Sequence, residues 1–568
     1  MENQRTFLIV ALMAISAVLY TKWIEFSSSN QTTNDTPVQL GQNNGNSVPT
    51  SPQSMVNAEA VPSTPSSIAT PSIDSLPSSV NQVADSIGGI ISITTDIVIA
   101  KINTNGGVIE SIELRKEPIA IDQKDQGFPL LMKTNLETFV AQDGILVSGQ
   151  TGPNHAQTLY QSQASDYSLG DADSVRVPLT WVSESGVEYT KVFTFKRDSY
   201  VVDIDYKVVN KTGANWQGYL YAQFNRTQPA DSGGSFGQLP SYTGGAIYTE
   251  EEKYEKVDFK DMSKQNLAIQ TNSGWVAMLQ HYFVGAWIPK NGGPKQFYSA
   301  VNNSQANPVY RLGYKTLEPK VIPAGQSDSI GTSVYLGSKE QGRLKKIQKD
   351  SNITGLALTV DYGVLTFIAD PLFTVLNWIH NIVGNWGWSI ILLTLLIKMV
   401  FYPLSAASYK SMAGMKKLQP RIKTLKERYK DDRQKFQTEM MALYKKEKIN
   451  PAGGCLPILI QIPVFIALYW ALLESVEIRQ APFALWLQDL SAPDPFYILP
   501  VLMGASMWAQ QQLNPAPMDD IQKKVMTIMP IALTFLFLTF PQGLVLYWVV
   551  NNVLSMAQQW FINKKHAS

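Results

Sequence analysis

The chain has 568 residues, enough for several domains, and its near-neutral net charge of +1 hides a strong segregation of charge along the sequence. A single cysteine, Cys455, excludes an intrachain disulfide, and the four scattered histidines (His155, His281, His380, His566) do not pair at metal-ligand spacing. The mean hydropathy of −0.07 averages a soluble half and a membrane half and describes neither.

Residues 6–24 form an apolar run after Arg5, and about 20 residues at 1.5 Å each suffice to span hydrocarbon. Lys22 and Trp23 stand where a cleavable signal would carry small residues, so an uncleaved anchor is expected over residues 1–26. Residues 27–90 are rich in Ser, Asn, Gln, Thr and Pro and nearly free of aromatics. Such a stretch cannot bury enough apolar surface to offset its ordering entropy, and it reads as a disordered polar tether.

A β-rich soluble domain is expected over residues 91–350. In the strand beginning at Tyr200, the apolar Tyr200, Val202, Ile204, Tyr206 and Val208 alternate with Asp203, Asp205 and Lys207, the period-2 signature of a half-buried strand. DIVIAKI, VEYTKVFTF, YLYAQF and VYRLGYK read similarly, between turn signals such as Asn105, Gly106, Gly107 and Ser232, Gly233, Gly234. Many short strands in one region predict a sandwich. Residues 338–350 read as a short polar helix leading back toward the membrane.

Residues 361–382 place Leu365, Ile368, Leu372, Val375, Leu376 and Ile379 at helical spacing, with Asp370 and Pro371 interrupting the run. This predicts an interfacial amphipathic helix rather than a span. Five longer apolar segments follow, at 386–404, 456–474, 496–513, 525–540 and 543–562. Pro403, Pro457, Pro463, Pro500 and Pro530 mark them, and the default reading is packing kinks. The first segment carries Lys398 inside its apolar run. A charge in hydrocarbon costs about 2.5 to above 10 kcal/mol, so a lipid-exposed helix rarely keeps one. Lys398 therefore suggests a polar cavity, although about five residues separate it from Pro403 and it could also snorkel to the interface.

The loop 405–455 carries most of the basic residues of this half, among them Lys410, Lys416, Lys417, Arg421, Lys423, Lys426, Arg428 and Lys430. Loop 475–495 has only Arg479 against Glu477, Asp489 and Asp494, and Lys523, Lys524, Lys564 and Lys565 restore the basic bias in the next loop and the 564–568 tail. The alternation places the basic loop and both termini in the cytoplasm and the β domain in the periplasm. Within the loop, Met415, Leu418, Ile422 and Leu425, then Phe436, Met440, Met441 and Tyr444, predict a helical hairpin. Its charges have two readings, as topology determinants and as a docking surface for a ribosome, a targeting factor or anionic lipid.

The strings NPAGGCLPILIQIPVFIALYWAL (450–472), APFALWLQDLSAPDPFYILPVLMG (481–504) and FPQGLVLYWVVNNVLSMAQQ (540–559), with DPLFTVLNWIHNIVGNWGWSIILLTLLIK, resemble the YidC/Oxa/Alb family of membrane-protein insertases over about residues 355–563. The anchor, tether and external β domain resemble the Gram-negative YidC layout. The resemblance implies an α-helical polytopic membrane protein with six transmembrane helices, five forming the insertase core, plus a periplasmic all-β supersandwich domain.

It also implies a hydrophilic groove open to the cytoplasm and to lipid, whose key charge is usually an arginine. Lys398 takes that place here, which keeps the charge and loses the bidentate fork. Further groove positions implied by the resemblance are Gln461 and Trp548, with Tyr547 and Asn552 as weaker candidates. Thr394 lies one turn from Lys398 on the same face. Gln461 could instead serve an interhelical hydrogen bond, and Trp548 ordinary packing.

The implied function is insertion and assisted folding of inner-membrane proteins, alone or with the Sec translocon. The implied partners are nascent membrane proteins, the translocon, the ribosome and signal-recognition targeting machinery at the hairpin, and the lipid bilayer, with no sequence-specific nucleic-acid binding. The sequence contains no G-x-x-x-x-G-K-[ST], so no nucleotide and no other cofactor is expected. A solute transporter or channel would instead predict internal repeats and paired intramembrane charges. An enzymatic β domain would rest on Asp203 and Asp205, or on Glu250, Glu251 and Glu252, and such charge runs are usually solvated faces.

Overall fold

The computed structural model describes residues 89–568 apart from 230–240, 291, 304–306, 431, 448, 450–455, 515–519 and 568. The anchor at 1–26, the tether up to residue 88, the turn at Ser232, Gly233 and Gly234, and Cys455 lie outside the described residues.

Residues 90–338 build two large sheets. The eleven-stranded sheet has Trp216–Thr227 and Thr138–Val147 at its centre, flanked by Val309–Thr316 and Lys295–Asn302 on one side and by Gly127–Lys133, Val108–Pro118 and Val98–Asn103 on the other. The nine-stranded sheet centres on Ser327–Ser338 and Val201–Val209. Pairing is antiparallel except where Ile90–Thr94 meets Asp166–Ser168. Alternation explains the packing. Val202, Ile204, Tyr206 and Val208 are at most 2% exposed and face the other sheet. Asp203 and Asp205 turn outward and pair with Lys196 at 2.8 Å and Lys290 at 2.9 Å, a solvated charged face.

Two strands depart from the half-buried expectation. Trp216–Thr227 and Val309–Thr316 are buried along nearly their whole length. Ala222, Phe224, Leu312 and Tyr314 enter the core between the sheets, while the alternate residues Gln223, Asn225 and Arg311 are buried on the opposite face. That second face is polar and lines a cleft.

One ion pair lies inside the sandwich. Lys191 Nζ donates to Asp143 Oδ1 and to the Gly107 carbonyl, each at 2.8 Å, and Tyr206 donates to Asp143 Oδ2 at 2.7 Å. Both charged side chains are at most 1% exposed.

The described helices are α1 (Phe259–Lys264), α2 (Gln341–Asp350), α3 (Thr366–Val383), α4 (Trp386–Val400), α5 (Tyr402–Arg428), α6 (Arg433–Lys446), α7 (Leu456–Glu474), α8 (Ile498–Leu513), α9 (Asp520–Phe537) and α10 (Gln542–Ala567). Helix α3 is not interrupted: it runs through Asp370 and Pro371. Pro371 lies inside the helix with its ring on the exposed side, and the chain keeps its helical path at the loss of one N–H donor. Nor is its outer face polar, since Phe367, Trp378 and Ile382 are exposed while Ala369, Phe373, Leu376 and Ile379 pack inward. Among the described residues, Gly363–Val383 is the single helix that alone is long and apolar enough to cross a membrane.

Helices α4 and α5 meet at a 69° bend at Phe401. Pro403, in the first turn of α5, cannot donate to the α4 ladder and excludes a straight continuation. Helices α5 and α6 form a hairpin closed by Leu418, Ile422 and Tyr444, with Met415, Phe436, Met440 and Leu443 around them. Met441 lies off this seam, 44% exposed. Gly504 of α8 approaches α9 so closely that a β-carbon there would lie 2.1 Å from Thr534 Oγ1. Small residues permit such close helix crossings.

A polar joint ties the sandwich to the end of α7. His281 Nε2 lies 2.9 Å from the Leu473 carbonyl, and Lys339 Nζ 3.5 Å from Glu474 Oε2. Glu477 Oε1 accepts the Gln341 N–H at 3.0 Å, and Arg479 donates to the Pro118 carbonyl at 2.7 Å. Burial pushes His281 down to about 4 and Glu477 up to about 7.

Replacing Lys191 by Met should leave Asp143 buried beside Tyr206 alone and cost about 3–5 kcal/mol in chemical unfolding of the sandwich, whereas Lys191→Met with Asp143→Leu should recover most of that loss. A single variant as stable as the double would contradict this. At the joint, the Glu477 contribution is complete below pH 4.5 and is lost as pH rises through about 7, and the His281 contribution is present above pH 6.5 and lost as pH falls through about 4. The two slopes oppose between pH 4.5 and 6.5. Glu474 is also pushed up by burial, so amide exchange of residues 341–350, corrected for intrinsic rates, should accelerate more on acidification through that window in Glu477→Gln than in the native protein. Equal profiles would remove the assigned balance.

Candidate client groove

Helices α4, α5 and α7 line a small cleft, with a cavity volume of about 20 Å³, through Ile397, Lys398, Phe401, Leu404, Ser405, Gln461 and Val464. Its polar groups come from three helices. Lys398 sits in the last turn of α4, whose start is fixed by Asn385: the Asn385 carboxamide oxygen accepts the Trp388 N–H at 3.1 Å, and its amide donates toward the Pro482 and Phe483 carbonyls. The bend at Phe401 ends α4 just past Lys398, so Phe401, Leu404 and Ser405 turn back as one wall.

Lys398 Nζ donates to Ser555 Oγ of α10 at 2.7 Å, and Ser555 Oγ donates to the Asn551 carbonyl at 2.7 Å. Gln461 of α7 donates through Nε2 to Asn551 Oδ1. A relay thus runs from Lys398 through Ser555 and Asn551 to Gln461. Among the described residues, no carboxylate forms a salt bridge with Lys398, so the ammonium is held by neutral groups and its charge is uncompensated.

Of the six positions singled out from sequence, Lys398 and Gln461 line this cleft and the other four do not. Thr394 is 1% exposed, and its hydroxyl donates to the Ile390 carbonyl of its own helix at 2.6 Å. Asn552 turns to α8 and donates to Ser506 Oγ at 2.9 Å. Tyr547 is 1% exposed beneath Phe465. Trp548 packs edge-on against Phe465 and Phe537, with ring centroids at 4.5 and 5.1 Å. Sequence reasoning missed Asn551, Ser555 and Ser405. A signal existed for two of them: Asn551 and Ser555 are four apart in an apolar helix and so share a face.

The helical half, residues 378–568, matches the family model described as 60Kd inner membrane protein, and residues 90–375 match the YidC periplasmic domain. Together they define an inner-membrane protein with a large periplasmic domain. The membrane protein insertase YidC of Nitrosococcus oceani is 44% identical over 567 residues, covering 100% of this chain and 99% of the relative. That of Laribacter hongkongensis is 49% identical over 484 residues, covering 84% of this chain and 86% of the relative. A crystal structure of an active YidC insertase with its first transmembrane domain resolved aligns with a TM-score of 0.37 at 17% identity, covering 83% of this chain and 94% of that one. The chain belongs to the YidC family of membrane protein insertases.

Ser555→Ala removes a hydrogen bond to a charged group, a contact of about 1.5–3 kcal/mol. It should lower client insertion several-fold, scored by protease protection of a single-span client. Thr394→Val should change it less than twofold, because the threonine hydroxyl closes on its own helix. Equal effects of the two substitutions would argue against the relay.

Proposed function

We propose that this protein inserts inner-membrane proteins by drawing a polar client tail into the cleft around Lys398 while the client's apolar segment passes into lipid. The observation that carries this reading is a half-buried lysine in a cleft between apolar helices, bonded to a serine and facing no carboxylate among the described residues. A polar tail crossing the bilayer must lose its hydration, and a half-deep polar cleft shortens that apolar path. The lysine attracts acidic tail residues. Burial of the client's apolar segment, about 25 cal/mol per Å², then drives the step without a nucleotide.

The membrane arrangement is part of the proposal. Six spans are assigned to the 1–26 anchor and to α4, α7, α8, α9 and α10, the last five forming the core. Large apolar side chains exposed along these helices, such as Met399, Val400, Val501, Trp508, Ile528, Phe535, Val553 and Phe561, support contact with lipid. Helix α3 is assigned to the periplasmic interface. Tyr362, just before it, meets Ser475 beyond the end of α7, and its His380 and Phe373 stack on Trp386 at the start of α4. Asn385, beside Trp386, donates toward the Pro482 and Phe483 carbonyls of the 475–497 loop, and these contacts support the interfacial assignment. The basic α5–α6 hairpin, assigned to the cytoplasm with both termini, is the docking surface for ribosome and signal-recognition targeting machinery, and the protein acts alone or with the Sec translocon.

The test is Lys398→Glu combined with one client whose external-tail acids are neutralised stepwise. Two unit charges about 4 Å apart are worth roughly 4 kcal/mol at an effective dielectric near 20. Insertion should fall most for the most acidic tail and recover as acids are removed, while Lys398→Arg stays near native activity. Equal sensitivity of every tail variant to Lys398→Glu would dismiss the groove charge.

A further inference from the structure

The segment 475–497 joins the end of α7 to the start of α8, and all of it is described. Its four charged residues turn into the protein. Glu477 takes the Gln341 N–H, and Arg479 donates to the Pro118 carbonyl and lies over the Phe128 and Phe283 rings at 5.8 and 5.5 Å. Asp489 Oδ1 accepts from the Gln480 and Ser491 N–H groups at 3.0 and 2.9 Å. Asp494, 1% exposed, accepts from the Phe496 and Leu499 N–H groups at 3.0 and 2.7 Å. The side chains left exposed are three prolines, Ala484, Leu485, Phe496, Tyr497 and Gln488. Gln488 is the one amide among them, and its Nε2 bonds back to the Leu485 carbonyl at 2.6 Å. A connection bathed in water gains by the reverse arrangement, with charges outside and large apolar groups hidden.

The backbone is paired within the protein as well. The Phe483 N–H reaches the Leu487 carbonyl at 2.8 Å, and the Leu490 N–H the Ala481 carbonyl at 3.1 Å. The Leu490 and Ala492 carbonyls accept the Gly543 and Gln542 N–H groups of α10 at 2.9 and 2.8 Å. Irregular backbone needs such pairing where water is scarce. Two of the exposed side chains also stand on left-handed backbone: Leu485, with φ 55° and 81% exposed, and Tyr497, with φ 58° and 52% exposed. That conformation costs a bulky residue free energy, and an exposed side chain recovers little of it by packing within its own chain. Tyr497 opens a stripe continued by Val501 and Trp508 along the exposed face of α8. Phe483, two residues before Leu485, packs edge-on at 5.6 Å against Trp388, itself exposed in the first turn of α4.

We propose that residues 475–497 are seated in the outer leaflet of the bilayer, with Leu485, Phe496 and Tyr497 among the acyl chains beneath the headgroups. The inference rests on the assignment of α4 and α8 as spans. The occupant of this surface is phospholipid, because the surface continues the exposed apolar faces of both helices and lacks the polar rim of a protein interface. Arg479 then fastens the sandwich to a lipid-seated segment and holds the soluble domain at the membrane surface.

The test places an environment-sensitive fluorophore on single cysteines of the full-length protein, with Cys455→Ser as background. The nanodiscs contain phospholipid brominated either near the headgroup or in mid-chain. Leu485→Cys and Phe496→Cys should emit at shorter wavelength than Leu136→Cys, and should lose more emission to the shallow bromines than to the deep ones. Leu136 is the reference because it lies past the far end of Gly127–Lys133, the strand whose Gly127 pairs with Pro118, and its probe should lose no emission. Val501→Cys in α8 should be quenched as a span residue. A quenched Val501 probe beside two unquenched loop probes overturns the inference and leaves the span assignment intact. An unquenched Val501 probe removes the span assignment and the inference with it. Short-wavelength emission from the loop probes that neither bromine position quenches places a protein surface, such as a second copy of this chain, against the segment and overturns the lipid seat.

Discussion

A cation set among apolar helices must be held by dipoles from other helices, and the helical half depends on that constraint. Lys398 has its hold in Ser555. The bond only works if α10 keeps its register against α4, and α10 is fixed by a line of polar residues. Asn551 meets Gln461 of α7, Asn552 meets Ser506 of α8, and Gln559 reaches the Leu513 carbonyl and Asn514 beyond α8. Each contact satisfies a group that apolar surroundings would otherwise penalise. Helix α10 is thus a polar spine within an apolar bundle, and the groove cation is one of its dependents.

The sandwich meets the same constraint with different chemistry. Lys191 and Asp143 neutralise each other between the sheets, and Tyr206 takes the remaining carboxylate oxygen. In the bundle, neutral hydroxyl and amide groups leave the lysine charged toward the cleft. In the sandwich, a carboxylate cancels the charge. A fully paired charge orders the interior, whereas an unpaired one in a cleft remains available to a ligand. The joint at α7 combines both styles, with Lys339 against Glu474 and the buried Glu477 on a backbone N–H.

Local rules made much of this legible. The strand from Val201 to Val209 follows alternation, and the hairpin seam follows the three- and four-residue spacing of Leu418 and Ile422. Alternation failed where a second polar face is buried, because Gln223, Asn225 and Arg311 read as solvent-facing until the cleft is seen. Pro371 misled because a proline inside a helix removes one N–H donor without having to end the helix, here with its ring on the exposed side. Within the groove, the charge of Lys398 was visible in one segment, but its partners sit 157 residues away on α10. Thr394 shares the Lys398 face only by spacing, and its small hydroxyl finds a carbonyl one turn back before it can reach the cleft. Which polar residue of a pair such as Asn551 and Asn552 faces which helix is set by bundle geometry, which no spacing rule contains.

The bend at Phe401 joins the groove wall to the longest helix described, the 27 residues of α5. At 1.5 Å per residue that helix is a lever about 40 Å long. A rotation of about ten degrees at its base would carry its far tip roughly 7 Å. The fulcrum is the short stretch between Lys398 and Ser405, so a load on the outer end of the hairpin is felt first where the cation and the cleft mouth meet.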